Sequence, residues 1–438
     1  MRTKNTSNQK KTKMSRMLIL FCLILSTFLE YKAQTLTNKG AYINAQSGAF
    51  IRVNGTVQND NSGIITVNGN GTPSSAELYV SQDVINNATI NADGYIRLLG
   101  NWIDNNTFSS TLGTVFMEGA NQQLGGTAAT VFYNLTLDGS GIKTQTINKF
   151  ANGVLDLKGL QLNTDVYGFY VNNTSTSAII RTTGFVSSAN GGFLSRKTLS
   201  NALYLFPVGS TANTSANIPG TGTSRYRPVQ ITPNDALANT YTVRMANVNA
   251  TTETYNLTLT DVGFCALNPL FFHQINRSVG TSSADVTVNF DAAADGNWEG
   301  LARWNITTPN LWQKITGSTV TAGSPFSTAT KLAWNNFSVT PYILFNNKPV
   351  ANVTCSDVCA NQTAPVTASV SPTGTYSYSW TTPITFSPNP GNVSTFNSGI
   401  GGNYCVTVTN TVNNCVSDPF CCSFVTNQPP SINAISPP

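Results

Sequence analysis

Hydrophobic and polar positions alternate in short bursts from residue 35 to about residue 195. The bursts read Ala49-Phe-Ile-Arg-Val-Asn-Gly55, Gly63-Ile-Ile-Thr-Val-Asn-Gly69, Gly94-Tyr-Ile-Arg-Leu-Leu-Gly100 and Gly113-Thr-Val-Phe-Met-Glu-Gly119. Each is a β-branched or apolar strand closed by glycine, and the closing glycines fall 14, 31 and 19 residues apart. A strand at Glu77–Val80 divides the long gap, and similar strands follow at 131–137, 153–157 and 178–181. Asn, Asp and Gly fill the turns (Asn59-Asp60-Asn61, Asn86-Asn87, Asn105-Asn106), where Asn tolerates the left-handed backbone of a tight corner. Period-two alternation with corners at this spacing predicts a right-handed β-solenoid-like region over 34–195, in which each rung buries its apolar face on the next. An ordinary β-sandwich with irregular hairpins is the competing reading.

Beyond residue 195 the repeat disappears and aromatic residues become denser. Leu203–Val208, Tyr226–Ile231, Thr240–Arg244, Asp285–Phe290 and Leu301–Asn305 read as strands, with Gly/Ser/Thr loops at 209–224 and 317–327 between them. This predicts an antiparallel β-sandwich over 196–347. A third unit over 350–425 carries Trp380 after Tyr376-Ser-Tyr378-Ser and then Gly402-Asn-Tyr404-Cys-Val-Thr-Val-Thr409, the pattern of an Ig-like/PKD-like sandwich. Alternation sends Tyr404, Val406 and Val408 to one face and Cys405 to the other. Residues 426–438, rich in proline, read as a linker or a truncated end. No helical periodicity is visible beyond the first 33 residues, so the fold class expected is all-β.

Charge changes the picture of partners. Only 10% of the 438 residues are charged, and the formal net charge is +5. Seven of the 24 basic residues and one of the 19 acidic ones fall in residues 1–33. That stretch has a basic lead (Lys10, Lys11, Lys13, Arg16), an apolar run from Met17 to Leu29 and a plausible cut at Ala33-Gln34, and it reads as a signal peptide. The run is shorter than the roughly 20 apolar residues a membrane helix needs. The remaining chain is near neutral, which leaves no electrostatic footprint for nucleic acid or an anionic membrane. No Lys or Arg follows Lys348, and this break marks a domain boundary.

Cysteine usage agrees with export. Six of the eight cysteines, Cys355, Cys359, Cys405, Cys415, Cys421 and Cys422, cluster near the C-terminus and read as a disulfide framework with open connectivity. Cys265, between Phe264 and Ala266, reads as a buried inert thiol.

The order of motifs resembles large exported surface proteins of the Bacteroidetes, including gliding-motility-associated proteins and cargo of type IX secretion. The resemblance rests on Gly100-Asn101-Trp102-Ile-Asp-Asn105, the Gly113–Phe116 strand, Asn121-Gln-Gln, Gly125-Gly126 and Phe132-Tyr-Asn-Leu-Thr136. It extends to Phe206–Gly209, Tyr226–Val229, Arg303–Asn305 with Trp312, and Gly402–Val408 with Cys415. It implies an exported surface protein with Ig-like or PKD-like modules. The C-terminal sorting domain usual in such proteins is not visible here.

Candidate chemistry is sparse. The solenoid's acids (Asp60, Glu77, Asp83, Asp93, Asp104, Glu118, Asp138, Asp156, Asp165) are scattered singly, whereas glycan cleavage needs paired carboxylates, or an Asp cluster holding calcium beside a Lys or Arg base. Asp291, Asp295, Asn297 and Glu299 could supply oxygens to a calcium ion, but the spacing misses an EF-hand loop and an Asp-Gly-Asn hairpin turn explains the same residues at lower cost. The lone histidine, His273, follows an apolar run and reads as a packed strand residue. Trp298, Trp304 and Trp312 could form a sugar-stacking platform or core. No catalytic residue, cofactor or settled metal ligand emerges. The expectation is a non-enzymatic, adhesin-like protein, secreted or at the cell surface, with glycans, extracellular matrix or cell-envelope components as partners, no nucleic acid, and no membrane span once the signal is removed. The alternatives are a carbohydrate-active enzyme with its site on the solenoid face and a purely structural fragment of a longer surface protein.

Overall fold

The computed structural model describes residues 34–188, 190–211, 223–307, 309–337 and 341–429. The signal peptide expected at 1–33 lies outside the described residues, as does the Pro-rich end from residue 430. The described chain is all-β and begins with a solenoid of about eight turns. Among the described residues, helices are limited to three short turns, Thr176–Ala178, Ala250–Glu253 and Ala292–Asp295. No helix among the described residues is long and apolar enough to cross a membrane.

Each rung lays short strands on three faces. The first face stacks Leu36–Lys39, Val57–Asp60, Val84–Asn86, Trp102–Asp104, Gln122–Gly125, Ile142–Gln145, Gln161–Asn163 and Phe185–Ser187 in parallel. The second begins with Tyr42–Ala45, Ile64–Val67, Thr89–Ala92 and Thr107–Ser109, and resumes with Val131–Phe132, Lys149–Ala151 and Gly168–Val171. The third stacks Phe50–Val53, Glu77–Val80, Tyr95–Leu98, Thr114–Met117, Asn134–Leu137, Leu155–Asp156 and Ile179–Ile180. Along the third face the inward residues align in register as Leu78, Ile96, Val115, Leu135 and Leu155, all buried. Each such side chain contributes about 1.5–3 kcal/mol by leaving water, and none could do so without the rung beside it. The corners dictate glycine: a Cβ on Gly119 would run into the carbonyl of Leu99 in the rung below.

The first face breaks the apolar rule. Asn38, Asn59, Asn86 and Asp104 point inward one above another and are buried. Asn38 Nδ2 donates to Asn59 Oδ1 (3.0 Å), Asn59 Nδ2 to Asn86 Oδ1 (3.1 Å) and Asn86 Nδ2 to Asp104 Oδ1 (2.9 Å). Asn59 and Asn86 also donate to the carbonyls of Thr89 and Thr107, so the ladder ties the corner of each rung to the next. Thr130 closes it, donating to Asp104 Oδ2 at 2.8 Å and accepting from Lys149 Nζ at 2.9 Å.

The solenoid does not end at a loop. The strand Phe193–Thr198 continues the second face in parallel with Gly168–Val171 and then pairs antiparallel with Asn239–Ala246. From there the sheet runs through Phe272–Val279, Pro341–Asn347, Gly300–Asn305 and Leu311–Lys314. A second sheet, Tyr204–Phe206, Val229–Pro233, Ala284–Phe290, Ser327–Trp334 and Ser318–Thr321, packs on it. One apolar core extends from Ala45 in the solenoid to Leu344 in the sandwich, so residues near 195 mark a change of topology within a single core. Trp304 and Trp312 lie in a smaller cluster, buried edge-to-face at 5.4 Å, and form no surface platform.

The C-terminal module has the strand arrangement of an immunoglobulin-type sandwich. Val350–Thr354, Ala364–Ser371 and Thr395–Ser398 form one sheet; Tyr376–Thr381, Gly402–Asn410 and Phe420–Phe424 form the other. Trp380, Tyr404, Val406, Val408 and Phe424 fill the space between them. The Tyr404 hydroxyl donates to the carbonyl of Ile400 at 2.7 Å, fixing the entry to its strand. The module extends to Thr426–Asn427, which pairs with Val358–Cys359, so the first residues read as linker belong to the fold.

The cysteines require two corrections. Cys265 is no buried thiol: it lies exposed on the strand Phe264–Leu267 and is bonded to Cys415 in the module. Cys359, expected in the framework, is exposed and free. The seven cysteines after residue 33 leave one unpaired, and Cys265 takes the partner that the C-terminal cluster would have needed to pair internally. Cys355–Cys422 and Cys405–Cys421 complete the set. Cys405 and Cys421 stand directly opposite on neighbouring strands, on the face away from Tyr404 and Val406.

Candidate functional site

The first face of the solenoid carries a shallow groove of about 520 Å³, lined by Asn101, Asn121, Gln122, Gln123, Ile142, Thr144 and Asn163. Four consecutive rungs build it. Gln123, Thr144 and Asn163 stand in register on neighbouring strands, all on the outward side of the pleat. Asn101 and Asn121 sit one residue ahead of their strands, at the corner between the third face and the first.

The three asparagines are held by hydrogen bonds to backbone N–H groups. Asn101 Oδ1 accepts from the N–H of Gln123 (2.8 Å), and Asn121 Oδ1 from the N–H of Ile142 (2.9 Å). Asn163 Oδ1 accepts from the N–H of Asp165 (3.2 Å). Among the described residues the Nδ2 groups of these three asparagines, the Gln123 amide and the Thr144 hydroxyl have no hydrogen-bond partner, and they face solvent in the groove. Gln122 differs. It is buried, its Oε1 accepting from the N–H of Gly119 (2.9 Å) and from Lys143 Nζ (2.8 Å), and it forms the floor. Lys143 beneath it is also saturated, donating to the carbonyls of Gly119, Ala120 and Ser140. Burial lowers its pKa to about 8, with Asp138 opposing that shift.

Among the described residues, no ionisable side chain lines the groove. Its chemistry is therefore hydrogen bonding from amides and a hydroxyl, with Ile142 as an apolar patch.

The carboxylates elsewhere are engaged. Glu77 and Glu118 lie two rungs apart on the third face, with Arg97 between them bridging both. Asp83 accepts from the N–H of Asn101 (2.6 Å), Asp93 from that of Thr111 (2.6 Å), and Asp104 ends the buried ladder. Asp60 takes the amides of Gln58 and Asn87, Asp165 that of Asn190, and Asp138 an ion pair with Lys158. Asp156 accepts from the N–H of Lys158.

The residues considered for calcium are dispersed. Asp295 is buried and held by the guanidinium groups of Arg225 and Arg227. Asp291 caps the turn Ala292–Asp295 by accepting from Ala293 and Ala294. Glu299 accepts from Asn347 and from Asn413 in the module, and the Asn297 carbonyl accepts from Asn346 Nδ2. Among the described residues no group of three His, Cys, Asp or Glu side chains is placed to hold a metal ion. His273 is buried, its Nε2 2.8 Å from the carbonyl of Arg227.

Asn101 and Asn121 fall within longer sequence motifs, but the groove has no continuous signature along the chain. The available signal was a polar residue recurring every 19 to 21 positions: Asn101 to Asn121, and Gln123 to Thr144 to Asn163. Comparison with known proteins finds no matching family model, no matching curated protein and no matching solved structure.

Proposed function

We propose that this chain is a non-enzymatic, exported surface protein that makes adhesive contact with glycans of a matrix or cell envelope through the amide-lined groove. The observation that carries the reading is the groove itself: unpaired amide and hydroxyl groups presented on four stacked rungs, with no ionisable side chain among them. Such a surface offers directional hydrogen bonds and no acid or base to transfer a proton. Three disulfides are consistent with an extracellular setting. The motif resemblance to exported Bacteroidetes surface proteins supports the same reading, with the solenoid as contact surface and the module as spacer.

The test is co-sedimentation of residues 34–438 with insoluble polysaccharides and whole-cell envelopes, counting reducing ends in the supernatant. The reading expects retention without sugar release. Heat-labile release of reducing ends would make the protein a carbohydrate-active enzyme. Failure to sediment with any of them would leave a structural role.

A further inference from the structure

We infer that the groove takes a neutral, extended polysaccharide that runs along the solenoid axis and occupies about three sugar units. This rests on the glycan-binding reading above and specifies its ligand.

The direction follows from how the groove is built. Its polar groups repeat from rung to rung, not along a strand, so a ligand satisfying them must cross the strands. Neighbouring strands are about 4.8 Å apart, and the four rungs span three such steps, about 14 Å. A pyranose ring in an extended chain advances by nearly the same step, so each ring can meet the same type of group.

The polarity of the groups selects the ligand's atoms. Asn101, Asn121 and Asn163 spend their carboxamide oxygens on backbone N–H groups, which leaves their Nδ2 groups as donors. Thr144 and Gln123 can donate or accept. A row of donors fits hydroxyl and ring oxygens. Ile142, 37% exposed in the middle of the groove, offers an apolar surface to the C–H face of a ring.

Charge excludes acidic glycans. The nearest cation on the floor, Lys143, is turned inward and has four acceptors around its ammonium. A uronate or sulfate entering the groove would lose water without gaining a counter-charge. A peptide is disfavoured too: these strands are paired on both sides, so no free backbone edge is available for strand addition.

The experiment is calorimetric titration of residues 34–438 with neutral β-1,4-linked gluco- and manno-oligosaccharides of one to six units, and with galacturonate oligomers of matched length. We expect affinity to rise up to three units and then level off, with galacturonates binding more weakly at every length. The double variant Gln123→Ala/Thr144→Val should lose about tenfold or more in affinity at an unchanged melting temperature. Thr37→Ala, on the same face outside the groove, should bind as the parent does. Stronger, salt-sensitive binding of the galacturonates would overturn the inference, as would affinity that climbs steadily to six units. Neutral binding untouched by the double variant would overturn the groove assignment while leaving the glycan-binding reading standing. Absence of binding to every oligomer, with sedimentation on insoluble glycan retained, would overturn the inference alone; loss of both would overturn both.

Discussion

His273 shows how one buried side chain ties this fold to pH. Its ring is surrounded by protein, with Nε2 against the carbonyl of Arg227 and the Arg227–Asp295 ion pair beside it. Burial pushes its pKa down to about 4; the carbonyl hydrogen bond opposes this, the Arg227 charge adds to it, and the Asp295 charge opposes it. In the unfolded chain the ring takes a proton near pH 6.5, whereas the folded protein refuses it until about pH 4. The unfolded state therefore binds more protons in that window. Stability is lost as pH falls from about 6.5 to 4, by up to about 3 kcal/mol from this group. Denaturant midpoints at pH 7 and pH 4.5 should fall further apart for the parent than for His273→Gln, whose amide can still donate to Arg227 and does not titrate. Equal differences would mean the imidazole is protonated in both states. At this scale the sequence reading placed His273 well, because an apolar run into a single histidine with no nucleophile nearby leaves little else for it to be. It misjudged Cys265, since flanking Phe and Ala describe burial along a chain and cannot reveal that this strand faces a separate module.

The element that holds the solenoid together on one side is a ladder of amides. Asn86 is its middle step, accepting from Asn59 and donating to Asp104 and to the Thr107 carbonyl. Replacing it by leucine would keep the bulk but leave a buried amide above and a buried carboxylate below each short of a partner. The expected cost is about 2–4 kcal/mol, read as a lowered thermal midpoint. Asn91→Ala, on the outward side of the second face, should change stability by less than about 0.5 kcal/mol. If the two variants melt together, the ladder is not what secures the corner. This ladder also explains which part of the solenoid was legible. Nearly all the segments picked out by alternation, from Ala49–Gly55 to 178–181, are strands of the third face, where inward positions are Ile, Val, Leu and Met. The first face alternates inward Val57, Val84, Trp102 and Leu124 with inward Asn, Asp, Gln122 and Lys143, so the apolar rhythm of its strands is interrupted at every second inward position. The groove lies on that face, and its residues look like any Asn/Gln/Thr-rich loop until the rungs are stacked.

Across the whole molecule, the loss of Lys and Arg after residue 348 falls just before the strand Val350–Thr354, but composition says nothing about how rigidly two units are joined. Among the described residues, the Cys265–Cys415 disulfide, the Lys348–Asp418 ion pair at 2.7 Å and the Asn413 amide donating to Glu299 Oε1 at 2.8 Å cross the joint. The ion pair is exposed on its Asp418 side, so water and salt leave it worth about 0–1 kcal/mol. A single amide–carboxylate hydrogen bond adds a similar small amount. The covalent bridge is therefore the strongest of these links between the module and the sandwich. Cys265→Ser/Cys415→Ser should leave the module folded, because its core and its two internal disulfides are untouched. X-ray scattering of residues 34–438 should then show a broader range of dimensions, and proteolysis should cut faster near residues 348–350. Thiol labelling without reductant should find one reactive cysteine in the parent, Cys359, and still one in the double variant. Unchanged scattering and cleavage in that variant would show that the two small polar contacts hold the joint without the bridge.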